Sequence, residues 1–364
     1  MSTSEDRAEG IRLLRDSAAA IAPRNGPLGR IRGLRSTEAG FDRSVLAEMG
    51  ALGWLGLRVQ EDAGGAGLGV AELCALAEEM GQGLAPEPLV PVAAIAAPLV
   101  AEEDVVAGAR ILLPAWLEKP HTLDPAGAAI AAIDGATLRV TGRKIAVPMA
   151  AGADGFLVTA CEGEALSVVL VEAGVPGVSL EAEPTVDGGH LGTLTLEAAR
   201  CVRVAEDAAG RVARLLDEAA IATAAELVGL MDRAFAITLD YLHTRQQFGK
   251  PIGAFQVLQH RAADLKIQLE LARAAVSHAA SVCDDGAPAA QRSAAASLAK
   301  ARASEAGMTV TRQAIQLHGG IGYTDEADIG LFLRRAMVLA ASFGTAAAHR
   351  RRYAEAAPPL DVDA

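Results

Sequence analysis

Apolar residues recur every three to four positions along the first hundred residues and along the last hundred and fifty. A stretch of a different texture separates the two. In the segment 5–22, Ile11, Leu14, Ala18 and Ile21 fall on one side of a helix. Val45, Leu46, Met49, Leu52 and Leu55 repeat that spacing and predict a second helix over 41–57. A glycine-rich turn, Asp62 to Gly69, then leads into a third helix, VAELCALAEEMGQGL. From about Ile111 to Val204 the chain breaks into short runs rich in Val, Leu and Thr: ATLRVTG, GFLVTA, LSVVLV, GVSLEA and GTLTLEA. They are separated by Asp134-Gly135, Asp154-Gly155 and Asp187-Gly188-Gly189, the residue types that hairpins and strand ends use. No helical pattern lies between the runs, so a small antiparallel β-domain is expected rather than a βαβ sheet. From about Gly210 the pattern returns to Ala-rich helical stretches whose length predicts a helical bundle and an oligomer interface. The expected class is α+β, mainly α. It comprises an N-terminal α-helical domain over 1–110, a middle β-domain over 111–208 and a C-terminal four-helix bundle over 209–364.

Composition narrows the partners. Half of the 364 residues are apolar yet only 3% are aromatic, so the core is built of Ala, Leu, Val and Ile. A net charge of −12 opposes a phosphate backbone, and nucleic acid is not expected as a partner. Cys74, Cys161, Cys201 and Cys283 are scattered and read as reduced core thiols; no metal set is expected. The N-terminus carries acid where a secretion signal has a basic region. The longest apolar run, Leu89 to Ala101, is interrupted by Pro91 and Pro98 and is too short for a bilayer. A cytoplasmic protein without a membrane partner is the expectation.

Three glycine-bearing stretches are candidates for chemistry. GGAGLG at 64–69 lacks the GxGxxG spacing and a βαβ context, so it reads as a tight turn. Thr244 to Gln256 follows one long helix and opens another, with Gly249 and Pro251 marking the break. Its Arg245, Phe248 and glutamines suit a pyrophosphate and an adenine face; an ordinary turn with its polar groups in solvent remains open. Gln316-Leu317-His318-Gly319-Gly320-Ile321-Gly322-Tyr323 permits close approach of backbone to a ligand, and equally serves as a helix C-cap.

Taken together, the last two stretches resemble the acyl-CoA dehydrogenase family. In that family an R-x-x-F-G-x-x-I-x-x-x-Q segment precedes a Q-x-x-G-G-x-G segment. GWLGLRVQEDAGGAGLG at 53–69 adds to the likeness, which covers nearly the whole chain. The resemblance implies FAD as cofactor, α,β-desaturation of an acyl-CoA substrate, a homotetramer or heterotetramer, and electron-transfer flavoprotein as acceptor. It assigns Arg245, Phe248 and Gln256 to the FAD pyrophosphate and adenine of a neighbouring subunit. Gln316, Gly319 and Gly320 form the second half of that contact, and Thr345 also falls at a cofactor position.

The departures are equally informative. Where the family carries Y-E-G-T, with Glu as base, this chain has Ser342-Phe343-Gly344-Thr345, and a phenyl ring at Phe343 cannot accept a proton. The alternative base position early in the first bundle helix aligns with Ala219. The adjacent Glu218 is turned away by one helical step of about 100°, and is expected to face solvent. The flavin loop T-E-P-G-A-G-S-D corresponds to Trp116-Leu117-Glu118-Lys119-Pro120-His121-Thr122-Leu123-Asp124, and W-I-T to Ala146-Val147-Pro148. Groups serving a neighbour's FAD are thus kept, while groups serving the chain's own flavin and base are missing. That split resembles the small subunits of heteromeric acyl-CoA dehydrogenases for dicarboxylic or steroid side-chain thioesters. Their C-terminal texture is echoed in Asp328 to Ala336 and in Ser342-Phe343-Gly344. Three readings follow: a base-less subunit acting with a catalytic second subunit, a self-sufficient homo-oligomer using Glu218 or another carboxylate, or a non-catalytic acyl-CoA-binding or assembly protein. His318 is expected to satisfy a helix-end carbonyl. His243, His260 and Arg350-Arg351-Arg352 are expected on solvated or packed faces, and Arg334 in a structural role.

Overall fold

A computed structural model describes residues 4–23, 28–35, 37–120, 122–125, 127, 129–134 and 137–356. Gly135 of the Asp134-Gly135 turn and His121 of the expected flavin loop lie outside the described residues, as do the chain's first three and last eight positions.

The N-terminal region is built around α4 (Val70–Gly83), almost every residue of which is buried. Helix α1 (Ser4–Ala18) lies across it, with Arg15 reaching Glu78 at 2.5 Å and Glu79 at 2.8 Å. The short α2 (Gly29–Leu34) and α3 (Arg43–Ala51) follow α1. Helix α3 stops earlier than its apolar spacing predicts, because Gly53 takes a φ of 78° and the Trp54 amide folds back onto the Met49 carbonyl at 3.0 Å. Leu52 is therefore 43% exposed, whereas Leu55 is buried beyond the helix end. The run Leu89 to Ala101 is core: a π-helical turn over Pro91–Ala96 passes into α5 (Ala97–Val100), and short α6 (Glu103–Val106) leads on to the sheet.

The sheet contains β1 (Leu112–Ala115), β2 (Ile130–Asp134), β3 (Thr137–Pro148), β4 (Gly155–Glu162), β5 (Ala165–Glu172), β6 (Val178–Pro184), β7 (His190–Arg200) and β8 (Val202–Ala205). Its order is β6-β7-β3-β2-β4-β5-β8, with β1 alongside β4. Most pairings are antiparallel, as the hairpin signals predict. The sheet is nevertheless mixed: β1 runs parallel to β4, and β2 meets β4 in parallel at Ile130 and Cys161. The β2–β3 excursion separates β1 from β4 in sequence and is long enough to return the chain in the same direction. Strand β1 is buried on both faces and shows no alternation, so period-two reading passes over it.

The C-terminal half packs α7 (Ala209–Thr244), α8 (Gln256–Asp284), α9 (Ala289–His318) and α10 (Ile329–Ala341) as a bundle, with α11 (Ala346–Ala356) against α9. Helix α10, at 13 residues, is of ordinary length rather than extended. Asp284 at the end of α8 accepts from the Val70 and Ala71 amides, at 2.6 and 3.2 Å, and so caps α4. Together α10 and α11 reach the length and mean hydropathy of a membrane span (28 residues, 1.3). The backbone leaves the helix between them, at Phe343 (φ 52°) and Gly344 (φ 106°). All four cysteines are free, and burial pushes the Cys201 thiol up to about 11 and Cys283 to about 12.

Candidate functional site

Two separate features carry the sequence-derived residues. The first is an exposed face at the far end of the bundle. Where α7 ends, β9 (Gln246–Gln247) and β10 (Lys250–Pro251) pair across a two-residue turn. Both turn residues have positive φ, Phe248 at 53° and Gly249 at 76°. That geometry suits glycine, and a phenylalanine there is strained. The Phe248 ring is 90% exposed, edge-on to Phe255 at 6.0 Å, and the Lys250 ammonium lies 4.4 Å from the Phe255 ring centre. Arg245 and Gln256 are exposed beside it, and α8 begins with no side chain capping its first amides. The glycine turn joins this end of the bundle because His318 stacks on Tyr241 of α7 at 4.5 Å. His318 also bonds the Ala314 carbonyl at 2.8 Å, so its role is the helix-end one expected. Gln316, Gly319 and Gly320 are exposed, and Gln316 lines a groove of about 580 Å³ between α8 and α9. His243 and His260 are both exposed on this end.

The second feature is a chamber of about 400 Å³ where the sheet meets α10. Trp116, Ala146, Pro148, Val338, Phe343 and Thr345 are among the residues that line it, and among the described residues no ionisable side chain does. Residues separated by more than two hundred positions, which the resemblance matched to the flavin loop, the W-I-T element and the base position, therefore share one wall. Ala146 sits in a β-bulge with φ 55°, at the register shift between Lys144 and Val147. The Thr345 hydroxyl accepts from the Ala348 amide at 3.3 Å, and so caps α11 from the chamber rim. Glu118, the acid retained from the flavin loop, turns away from the chamber. It accepts from the buried Lys144 ammonium at 2.6 Å and the Ala129 amide at 2.9 Å.

Glu218 does not face solvent as expected. It is 1% exposed, its Oε2 bonded to Arg58 at 2.9 Å and its Oε1 to Arg214 at 2.9 Å. Helix α7 turns it towards the N-terminal region, and it is absent from the chamber lining. The arginine run also divides by helical phase: Arg350 pairs with Glu305, Arg351 is exposed, and Arg352 turns inward to Asp217 at 2.8 Å and Ser297 at 2.6 Å.

Two groups that sequence reasoning passed over hold the Phe343 loop from behind. Lys300 is fully buried, without a carboxylate partner among the described residues. Its ammonium donates to Ser304 Oγ at 3.1 Å, the Ala340 carbonyl at 3.2 Å and the Gly344 carbonyl at 3.0 Å. His349 donates from Nε2 to the Phe343 carbonyl at 2.9 Å. Burial, then Lys300 and Arg352, push its pKa down to about 3, so it stays neutral. The one available signal was a lone lysine on the Ala-rich α9. Burial pushes the Lys300 pKa from 10.5 down to about 7. The unfolded chain therefore holds a proton that the folded chain has lost, and stability rises with pH between those values. Relative to Lys300→Met, the wild type is expected to gain about 2–3 kcal/mol between pH 7 and 9, read from urea unfolding midpoints.

Beneath the chamber, a recess of about 50 Å³ shares the Phe343 and Val338 walls. It holds Thr223 and a buried triad in which Arg335 bonds Glu226 Oε1 at 2.7 Å and Asp187 Oδ2 at 3.1 Å. Asp187 was read in the sequence only as part of a turn.

The family model described as acyl-CoA dehydrogenase, C-terminal domain, matches residues 209–357, and the N-terminal domain model matches residues 9–102. The acyl-CoA dehydrogenase IpdE2 of Mycolicibacterium smegmatis is 32% identical over 328 residues, covering 89% of this chain and 91% of that protein. A solved structure of a variant of the Tcur3481-Tcur3483 steroid ACAD superposes with a TM-score of 0.85 at 33% identity, covering 96% of this chain and 98% of the other. The ChsE4-ChsE5 complex of Mycobacterium tuberculosis gives 0.84 at 28% identity, with 99% of each chain covered. With the expected fold, a matching pair of family models and a relative aligned over nine-tenths of its length, this chain belongs to the acyl-CoA dehydrogenase family.

Proposed function

We propose that the chain is the base-less subunit of a heteromeric, FAD-dependent acyl-CoA dehydrogenase, lending nucleotide contacts to a catalytic second subunit. The observation that carries this reading is the contrast between the two features. The bundle end presents Arg245, a 90% exposed Phe248, Gln256 and the Gln316–Gly320 turn outward. Among the described residues, the chain's own chamber offers no group able to take a proton. An aromatic ring in a strained turn, facing away from its own fold, fits an adenine that arrives from another chain. Arg245 beside uncapped helix amides fits a pyrophosphate. On this reading Arg245, Phe248, Gln256, Gln316, Gly319 and Gly320 hold the nucleotide half of FAD.

The Ala146 and Pro148 wall has neither aromatic ring nor hydroxyl to cover an isoalloxazine of this chain's own. FAD, when bound, supplies a hydride acceptor for the β-carbon of the acyl group. The α-proton then goes to a carboxylate of the second subunit, because Phe343 stands at the base position, Glu218 is held by two guanidiniums, and Glu226 lies in the recess beneath the chamber, paired with Arg335. Two structural relatives, Tcur3481-Tcur3483 and ChsE4-ChsE5, carry paired names, which supports a heteromer, and the first is described as a steroid ACAD, which supports a steroid-type acyl group. A structure described for the electron transferring flavoprotein of Acidaminococcus fermentans, similar at 27% identity, supports such a protein as electron acceptor.

The test is co-purification with the second subunit. The chain alone is expected to be colourless and without dye-linked dehydrogenase activity. Co-expression should yield a yellow complex that turns over acyl-CoA, and Arg245→Ala in this chain should lower its flavin content at least tenfold. Full flavin loading and turnover by the isolated chain would overturn the reading.

A further inference from the structure

The chamber at Phe343 is kept although the groups for proton abstraction are gone. Its walls are apolar, and its volume of about 400 Å³ lies within the range of small-molecule pockets. It is also built, in that two non-glycine residues with left-handed backbone line it, Ala146 (φ 55°) and Phe343 (φ 52°), and a third, Met149 (φ 54°), lines the recess beneath. Such conformations persist only where the surroundings over-determine them. Here Lys300 and His349 grip the Gly344 and Phe343 carbonyls from outside.

The inner end of the cavity is polar and its charge has a sign. One guanidinium, Arg335, faces two carboxylates, Asp187 and Glu226, which leaves a net −1, while Glu87, also in the recess lining, is balanced by Arg30 at 2.6 Å. Asp187 has both oxygens engaged: Oδ1 accepts from Thr185 at 2.5 Å and the Gly189 amide at 3.2 Å, and Oδ2 from Arg335. His190 accepts the Ala151 amide through Nε2 at 2.8 Å, and burial lowers its pKa, so it adds no positive charge. Glu226 is bonded only through Oε1 in this triad, and Thr223 Oγ, which donates to the Ala219 carbonyl at 2.8 Å, keeps acceptor capacity. A recess of this kind accepts a hydrogen bond and repels an anion.

We propose that the chamber is a second, non-catalytic ligand site for an uncharged, apolar-bodied alcohol, whose hydroxyl reaches the Glu226–Thr223 recess past Phe343. It rests on the base-free reading of the chamber, but its test needs no turnover. Trp116 lines the chamber while Trp54, the other tryptophan, is 1% exposed, so Trp116 emission reports occupancy. The experiment titrates the full chain, alone and in its complex, with 1-decanol, decanoate at pH 8 and the donor-less methyl decyl ether, with Trp116→Phe as the blank. Decanol is expected to bind at least tenfold more tightly than either analogue. Val338→Phe, which narrows both cavities, should abolish the response to all three. Glu226→Gln, and independently Thr223→Val with the ion triad intact, should bring the decanol-to-ether ratio towards one. Equal affinity for the three probes would overturn the proposal, as would the absence of a saturable Trp116 response. FAD quenching of Trp116 that decanol does not displace would assign the chamber to flavin and overturn it too. A colourless, inactive chain that binds no alcohol would sink this proposal alone, leaving the partner-subunit reading in place.

Discussion

Arg335→Ala is expected to destabilise the protein by about 3–5 kcal/mol, because it strands two buried carboxylates. Arg335 on α10 is 14% exposed at its side chain, and it is the group that joins Glu226 of α7 to Asp187 of the β6–β7 turn. Removing it leaves charges on two different parts of the fold facing each other without a counter-ion. The substitution is measured by chemical denaturation at pH 7. Arg350→Ala, which breaks a pair exposed by 59% and 45%, should shift stability by no more than about 0.5 kcal/mol in the same assay. Acid adds a second check. Burial pushes the Asp187 pKa up, but Arg335 and the Thr185 and Gly189 bonds outweigh this and leave it below 3.8. Its contribution is therefore complete above the unfolded value and lost as pH falls through the folded one. Wild type should lose stability relative to Arg335→Ala below about pH 4. A loss under 1 kcal/mol at pH 7 would mean the recess is wet and the triad is not holding the sheet to the bundle.

Gly229→Val is expected to cost about 3 kcal/mol or more, since the added atoms have nowhere to go. A Cβ at Gly229 would stand inside contact distance of the Glu78 carbonyl, and one at Gly81 would do the same to Glu226. Helices α4 and α7 thus meet backbone to backbone at two reciprocal glycines, and backbone cannot rotate away as a side chain can. Gly210, in the first turn of α7 with nothing near its Cβ position, is the control. Gly210→Ala is expected to be neutral or to stabilise by about 0.4–1 kcal/mol. Denaturant midpoints decide the comparison, and a tolerated Gly229→Val would mean that the two helices are free to separate.

Much of the architecture was legible because helices and hairpins announce themselves locally. The 3–4 spacing of Ile11, Leu14 and Ala18, and the glycine-punctuated Val and Leu runs, predict elements at about the right places. What failed was what depends on distant partners. Strand β1 is hidden because a strand buried on both faces has no alternation. Leu52, expected on the same side as Leu55, is exposed because Gly53 ends α3 between them. Glu218 was placed in solvent by counting helical steps along α7 alone, yet Arg58, 160 residues earlier in the chain, meets it there.

By itself the sequence determined the class, the family likeness, and that the side chain at Phe343 cannot accept a proton, since each follows from residue identity. It also determined which groups stand at the bundle end, because Thr244 to Gln256 is a local turn. Only the tertiary structure decided that the Trp116, Ala146 and Phe343 segments enclose one chamber, and that Lys300, His349 and Arg335 support it. Those relations depend on packing between elements far apart in sequence. Burial then sets whether a charge is solvated, paired or left to neutralise, and no local pattern encodes burial.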